Sequence, residues 1–312
     1  MLVPLFRLLS FLPLPFLHLL GGALGWLVYL LAPSYRRLLN ENLGAAGYSG
    51  ERARAIAEAG KSIVELPFIW CAAPARVARC ASVDNWELVQ GLLDAGRGIV
   101  FLTPHLGCFE LTAQQIALRT ALTVMYRPPR QAALKPLVEG ARQRHNLHLA
   151  PATLVGVRIL ARTLKKGEPI GLLPDQVPSA GEGVWADFFG RSAYTMTLPA
   201  KLAQMGQAAI VLVYAERRSW GRGFVVRFVP FEDGQADTPA HAPGETAPGA
   251  SAGAQAAAQA VDQAQQARAI NAAMERLVAR CPAQYFWSYN RYKAPPGVAA
   301  PRREPEQERT RA

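Results

Sequence analysis

Between residues 85 and 231 short apolar runs alternate with stretches of helical periodicity, and this alternation restricts the fold more than any other feature. NWELVQGLLDAG (85–96) leads into GIVFLT (98–103), and a helix from Glu110 to Arg119 precedes ALTVMY (121–126). ALKPLVEGARQRHN (133–146) precedes a short strand near 147–150, and LVGVRILARTLKKG (154–167) precedes PIGLLP (169–174). A loop is expected over 175–195, then a helix LPAKLAQMG (198–206) and a strand AAIVLVYAER (208–217). Short apolar runs bounded by turns read as strands, and strands separated by helices imply a largely parallel sheet. GFVVRFVPF (223–231) is expected as a hairpin partner, antiparallel at one edge. The expected fold class is therefore α/β, a mostly parallel central sheet flanked by helices. Ahead of it, Ile56, Ile63, Val64 and Phe68 recur near helical spacing over 50–72.

The N-terminus departs from this pattern. Residues 8–32, LLSFLPLPFLHLLGGALGWLVYLLA, contain no Asp, Glu, Lys or Arg, and only His18 can carry a charge. Such a run is long enough to cross a bilayer core or to lie in its interface, and Pro13, Pro15 and Gly21–Gly22 would break or bend it. A cleaved signal peptide fits poorly, because the run ends in PSYRR rather than at small residues. Arg36 and Arg37 follow directly, which places the rest of the chain on the cytoplasmic side. The expected organisation is an N-terminal membrane helix over 1–33, one domain over 34–293, and a disordered tail over 294–312. Within that domain 234–254 is too rich in Ala, Gly and Pro to build a core and reads as a flexible inserted loop, before an alanine-rich helix ending near Arg280.

The net charge is +11, with an isoelectric point near 9.9. That balance suits acidic partners: nucleic acid, anionic lipid or an acidic carrier protein. Nucleic-acid binding would need basic residues interleaved with aromatics on one face, or a known binding motif, and neither is visible. Four cysteines at 71, 80, 108 and 281 form no CxxC pair, so neither a zinc ribbon nor a dithiol site is suggested.

Reactive groups in open α/β sheets collect at the carboxyl ends of the strands. His105 stands there, in TPHLGCFEL, with Glu110 five positions on at a helix start, where the dipole favours a carboxylate. Glu110 can accept the imidazole Nδ1–H, fixing the tautomer, while His105 takes a proton from a hydroxyl that attacks a carbonyl. Backbone N–H groups of the turn would help bind the oxyanion. The alternatives are a loop histidine beside a helix carboxylate, and a Cys108 thiol nucleophile activated by His105. Arg127 in YRPPR, Arg142 and Arg144 in ARQRH, and Asp175–Gln176 after the 169–174 strand are candidate substrate-binding residues on the same rim.

These motifs, taken in order, resemble those of a family. HLGCFE resembles the H-x4-[DE] motif of the glycerolipid acyltransferases. The apolar N-terminus, TPHLGCFEL, YRPPR, LLPDQ, ADFFGRSAYTMTLPAKLA and QYFWSYNRYK together resemble the lipid A biosynthesis lauroyl/myristoyl acyltransferases over most of residues 1–293. The resemblance implies transfer of a fatty acyl chain from acyl carrier protein to a hydroxyl of an acylated, phosphorylated glucosamine disaccharide lipid. His105 would be the general base and Glu110 its partner; Arg142, with Arg144 as the alternative, and Asp175 would match further family positions. It also implies a bacterial inner-membrane enzyme facing the cytoplasm, with no metal or redox cofactor. Many relatives carry Asn-Trp where this chain has Cys108-Phe109, which removes the amide's hydrogen bonds. Related acyltransferases acting on a lysophospholipid, ornithine lipid or other glycolipid are the alternative.

Overall fold

The structure, a computed structural model, describes residues 2–129, 134–142, 146–232 and 252–301. Its centre is a seven-stranded sheet. In chain order the strands are β1 Ala81–Asp84, β2 Ile99–Leu102, β3 Leu122–Tyr126, β4 Leu147–Pro151, β5 Ile170–Leu172, β8 Ala209–Arg217 and β9 Phe224–Pro230. Their spatial order is β1-β9-β8-β2-β5-β3-β4, and every neighbouring pair is parallel except β8–β9. The α/β reading holds. The antiparallel strand is not at the edge, however: β1, a short strand not expected from its sequence, pairs with β9 and covers it.

Alternation along the strands divides the core between the two faces. Ile99 and Phe101 of β2, with Val211 and Val213 of β8, point into one apolar cluster. Val100 and Leu102, with Leu212 and Tyr214, point into the other. Burial on both faces is what makes these runs continuously apolar. Helices α7 Trp86–Asp94, α8 Phe109–Ala117, α9 Lys135–Arg142, α10 Leu154–Lys165 and α11 Leu198–Gly206 lie between the strands. A long helix α12, Ala252–Arg280, follows. Residues 233–251, which hold nearly all of the expected inserted loop, and 302–312 of the expected tail lie outside the described residues.

The expected loop over 175–195 is a hairpin in its second half. β6 Gly183–Phe188 pairs with β7 Arg191–Met196 through the two-residue turn Phe189-Gly190, both at positive φ. Such a turn matches the twist of paired strands. Asn271 and Glu275 of α12 hold it, donating to Thr195 and accepting from the Phe189 backbone N–H.

Before the sheet come α1 Leu2–Leu9, α2 Leu14–Leu31, α3 Pro33–Ala45, α4 Arg52–Val64, α5 Leu66–Cys71 and α6 Pro74–Arg79. The apolar run breaks at Pro13, since proline removes a donor and clashes with the preceding turn. What remains, α2, is long and apolar enough to cross a membrane, yet 28% of it is buried against the protein. It crosses α4 in backbone contact. A Cβ at Gly25 would lie 2.1 Å from the Ile56 carbonyl oxygen, and one at Gly60 2.0 Å from that of Gly21. His18 on the buried face meets Glu65 at 3.1 Å. Glu65 takes two hydrogen bonds from Arg217, at 2.8 and 2.7 Å, and Arg217 also donates to Glu58 at 2.6 Å. Burial pushes the Glu65 carboxyl up, but Arg217 and His18 outweigh it and hold it at about 2.

Candidate active site

The turn after β2 carries His105 and is fastened from two sides. Gly107 lies at φ +60, and a Cβ there would sit 2.0 Å from the Ala215 carbonyl oxygen, so only glycine fits. Its N–H donates to Gln284 O at 3.0 Å, and the Cys108 N–H donates to Ala215 O at 2.9 Å. The Gln284 amide brackets the Arg217 backbone, accepting from its N–H and donating to its carbonyl. The aromatic terminal segment thus packs under the site: Tyr285 and Trp287 are buried, and the Phe286 N–H donates to His105 O.

His105 is oriented by Asp175. The imidazole Nδ1 lies 2.8 Å from Asp175 Oδ1, and the His105 backbone N–H donates to Oδ2 at 2.8 Å. Asp175 is buried. Burial opposes its ionisation, but the imidazole and the backbone N–H prevail and hold the carboxyl below its usual range. An ionised carboxylate only accepts, so Nδ1 carries the proton and Nε2 carries the lone pair. The Gln176 amide nitrogen sits 3.1 Å from Nε2 and donates to it.

The expected pairing of Nδ1 with Glu110 is therefore not the one formed. Glu110, in the first turn of α8, accepts from Trp70 Nε1 at 3.2 Å and from the Arg142 guanidinium at two atoms, Nε at 3.2 Å and an Nη at close range. Arg142 lies over the Tyr126 ring, 5.3 Å from its centroid. Asp175 and Gln176, expected to bind substrate, instead touch the two nitrogens of the imidazole. Strand order explains the exchange: β2 and β5 are neighbours, so the residues after each meet at one sheet end. Arg127 is exposed beyond β3, and Arg144 lies outside the described residues.

One further expectation changes, and one alternative is disfavoured. The backbone N–H groups of His105, Leu106, Gly107 and Cys108 all donate within the protein, so these four are not open to an oxyanion. Cys108 is buried; burial and Glu65 push its thiol well above the usual range, which removes the nucleophilic thiolate.

His105, Glu110 and Arg142 share the wall of a cavity of about 140 Å³. Beyond them, and apart from Thr103 and Thr112, it is apolar, lined by Phe101, Ile116, Leu122, Val124 and Leu172, with Gly171 leaving room where a side chain would stand. A cavity of similar size lined by Leu, Ile and Phe stays dry and takes a benzene-sized guest. Among the described residues, no group of three or more His, Cys, Asp or Glu could hold a metal ion.

A partly buried histidine held by a buried carboxylate beside an apolar cavity, on an α/β sheet behind an apolar N-terminal helix, fits an enzyme acting on a hydrophobic substrate. Residues 1–294 match the family described as "Bacterial lipid A biosynthesis acyltransferase". The chain belongs to that family. It is 24% identical over 293 residues to the "Lipid A biosynthesis lauroyltransferase" of Escherichia coli (strain K12), covering 91% of this chain and 88% of that one. It is 23% identical over 293 residues to the "Lipid A biosynthesis palmitoleoyltransferase" of the same organism, covering 91% and 87%. A "Lipid A biosynthesis acyltransferase" of Haemophilus influenzae (strain ATCC 51907 / DSM 11121 / KW20 / Rd) is 27% identical over 206 residues, covering 64% of this chain and 55% of the relative.

Proposed function

We propose that the protein transfers a fatty acyl chain from an acyl carrier protein thioester to a hydroxyl of a lipid A precursor at the cytoplasmic face of the inner membrane. The observation that carries the reading is the position of His105, with Nδ1 held by Asp175 and its ring in the wall of the apolar cavity. The acyl chain enters the cavity and brings its thioester carbonyl to the imidazole. The acceptor hydroxyl displaces the Gln176 amide from Nε2 and gives its proton to that nitrogen as its oxygen attacks the carbonyl carbon. The Gln176 amide and the Arg142 charge stabilise the oxyanion, in place of the occupied backbone donors. The tetrahedral intermediate collapses, the C–S bond breaks, and the imidazolium returns its proton to the leaving thiolate. Asp175 stabilises the transient imidazolium, as the carboxylate of a serine-protease triad does. A thioester is already activated, so the scheme needs no covalent enzyme intermediate and no metal or redox cofactor.

Glu110 in this reading anchors Arg142 rather than His105. Arg142 and Arg127 serve the negative charge of the phosphorylated acceptor and of the acidic carrier. The exposed apolar side chains of α2, among them Leu19, Leu27 and Leu31, support membrane attachment.

The test is mass spectrometry of lipid A from a strain lacking its own secondary acyltransferases, with and without this protein. One added acyl chain, lost in His105→Ala, is expected, and the mass increment gives the chain length. Unchanged lipid A beside membrane-localised, folded protein refutes the acceptor assignment.

A further inference from the structure

The loop between β8 and β9 presents a tryptophan to the exterior in a conformation that bulky residues avoid. Trp220 lies at φ 59 and ψ 25 and is 86% exposed, more than any other large hydrophobic side chain described. A positive φ on a tryptophan is a sterically costly state, held only where its surroundings impose it. They do so here. Gly221 packs on the first turn of α2, where a Cβ would come within 2.4 Å of Pro15, and a Cβ at Gly223 would lie 2.1 Å from Cys80 O. Arg218 N–H closes the loop onto Gly223 O at 2.9 Å. The loop is therefore fixed, and what it fixes is an indole in solvent, flanked by the exposed side chains of Arg218 and Arg222.

The N-terminal stretch on which the loop packs carries exposed apolar side chains as well. Pro15, on which Gly221 rests, stands between α1 and the body of α2. Phe11, Phe16 and Leu19 are open on this N-terminal stretch. Arg7, in the last turn of α1, is an exposed cation of the same N-terminal stretch. Tryptophan with arginine at the rim of an apolar surface is the composition of a membrane–water interface: the indole sits at headgroup level and the guanidinium groups meet phosphates.

We propose that the Trp220 loop is a second membrane-contact point, which inserts its indole into the interface of an anionic phospholipid bilayer beside the head of α2. Attachment along α2 alone leaves the domain free to roll about the helix axis. A second contact on a rigid hairpin removes that freedom and fixes how the mouth of the cavity faces the lipid. The proposal rests on the membrane attachment stated above, and the experiment separates the two.

The full-length protein is bound to phosphatidylethanolamine/phosphatidylglycerol vesicles containing phosphatidylcholine brominated at shallow or at deep acyl positions. Because the chain has six tryptophans, Trp220 is read as the emission difference between wild type and Trp220→Phe, and Trp26 of α2 likewise through Trp26→Phe. Trp220→Gly, which suits the positive φ, gives the same difference should Trp220→Phe not fold. The expected result is Trp220 emission quenched at least twofold, more by shallow than by deep bromines, and protected from aqueous iodide. Trp26 quenched with Trp220 unquenched and open to iodide overturns the second contact and leaves membrane attachment standing. Neither residue quenched overturns both.

Discussion

Replacing Asp175 by Asn discriminates most sharply between the two assignments of the imidazole's partner. The change is nearly isosteric, so packing at this buried position is kept. The chemistry is not. Asp175 accepts twice from His105, at Nδ1 and at the backbone N–H, both at 2.8 Å. Asparagine has one acceptor oxygen; if it keeps the backbone N–H, its NH2 group faces Nδ1. Nδ1 must then accept, the ring proton moves to Nε2, and the lone pair needed to deprotonate the hydroxyl is gone. The equivalent change in a serine-protease triad lowers kcat about 10⁴-fold. The same geometry here predicts a loss of about 10³ to 10⁴ in kcat, or about 4–5.5 kcal/mol in the barrier, with KM within a few-fold. Glu110→Gln should instead keep the tautomer. It weakens the grip on Arg142, with a loss of about 10- to 100-fold in kcat/KM and about 1.5–3 kcal/mol in stability. Steady-state transfer from a carrier-protein thioester, on variants checked by circular dichroism, measures both. Asp175→Asn retaining more than a tenth of wild-type kcat, with Glu110→Gln inactive, would overturn the Asp175 pairing and return Nδ1 to Glu110.

Three further outcomes follow from other parts of the structure. Cys108→Ser should keep kcat within about threefold, and iodoacetamide should leave the native enzyme active, because a buried thiol with a raised pKa is not a nucleophile. Gly171→Val should push a side chain into the cavity, where a Cβ already meets Val124 at 3.0 Å. Its kcat/KM for the preferred donor should fall about tenfold or more against a donor two methylenes shorter, a shift that a competition of thioesters would read. Glu65, held at about 2 against an ordinary 4.5, has its folded pKa depressed. Its stabilisation is full above pH 4.5 and lost as pH falls toward 2. It amounts to about 3 kcal/mol, and urea midpoints measured between pH 6 and 3 should slope less in Glu65→Gln than in wild type.

β2, β3 and β5 were legible because a sheet buried on both faces writes such strands as unbroken apolar runs, and each run begins one residue ahead of the observed strand. β1 was not, since ASVD is short and half-buried and becomes a strand only by pairing with β9. The hairpin β6–β7 also escaped, because GVWADF carries no apolar period of its own and draws its stability from α12. The candidate site shows the same division. His105, Glu110, Arg142, Asp175 and Gln176 were all visible by type and position. Which of them touch was not, because spacing along the chain says nothing of which strands lie side by side, and adjacency of β2 and β5 decides that Asp175 reaches Nδ1 first. Trp70 and Arg217, from segments with no motif, had no sequence signal at all.

A buried ion pair is weak grounds for stability, because desolvation offsets most of the attraction. The cluster at Glu65 is better understood by what it connects. His18 belongs to α2, Glu58 to α4, and Glu65 to the α4–α5 junction, while Arg217 ends β8. The Arg217 backbone is gripped by the Gln284 side chain, and the Gln284 carbonyl holds the Gly107 N–H, two residues from His105. Apolar packing would tolerate sliding of α2 along α4, whereas directional hydrogen bonds to a charged centre fix one register. The glycines at 21, 25 and 60 bring the two helix backbones close enough for His18 to reach Glu65. In the membrane-bound enzyme proposed here, the helix that meets lipid and the turn that carries the base are thereby held by one set of buried bonds. Replacing His18 with Leu, which keeps the apolar face but cuts the first link, should loosen α2 without touching a catalytic group. Faster hydrogen exchange over 14–31 and over the 103–108 turn together is the expected signature; exchange confined to α2 would show that the link ends at Glu65.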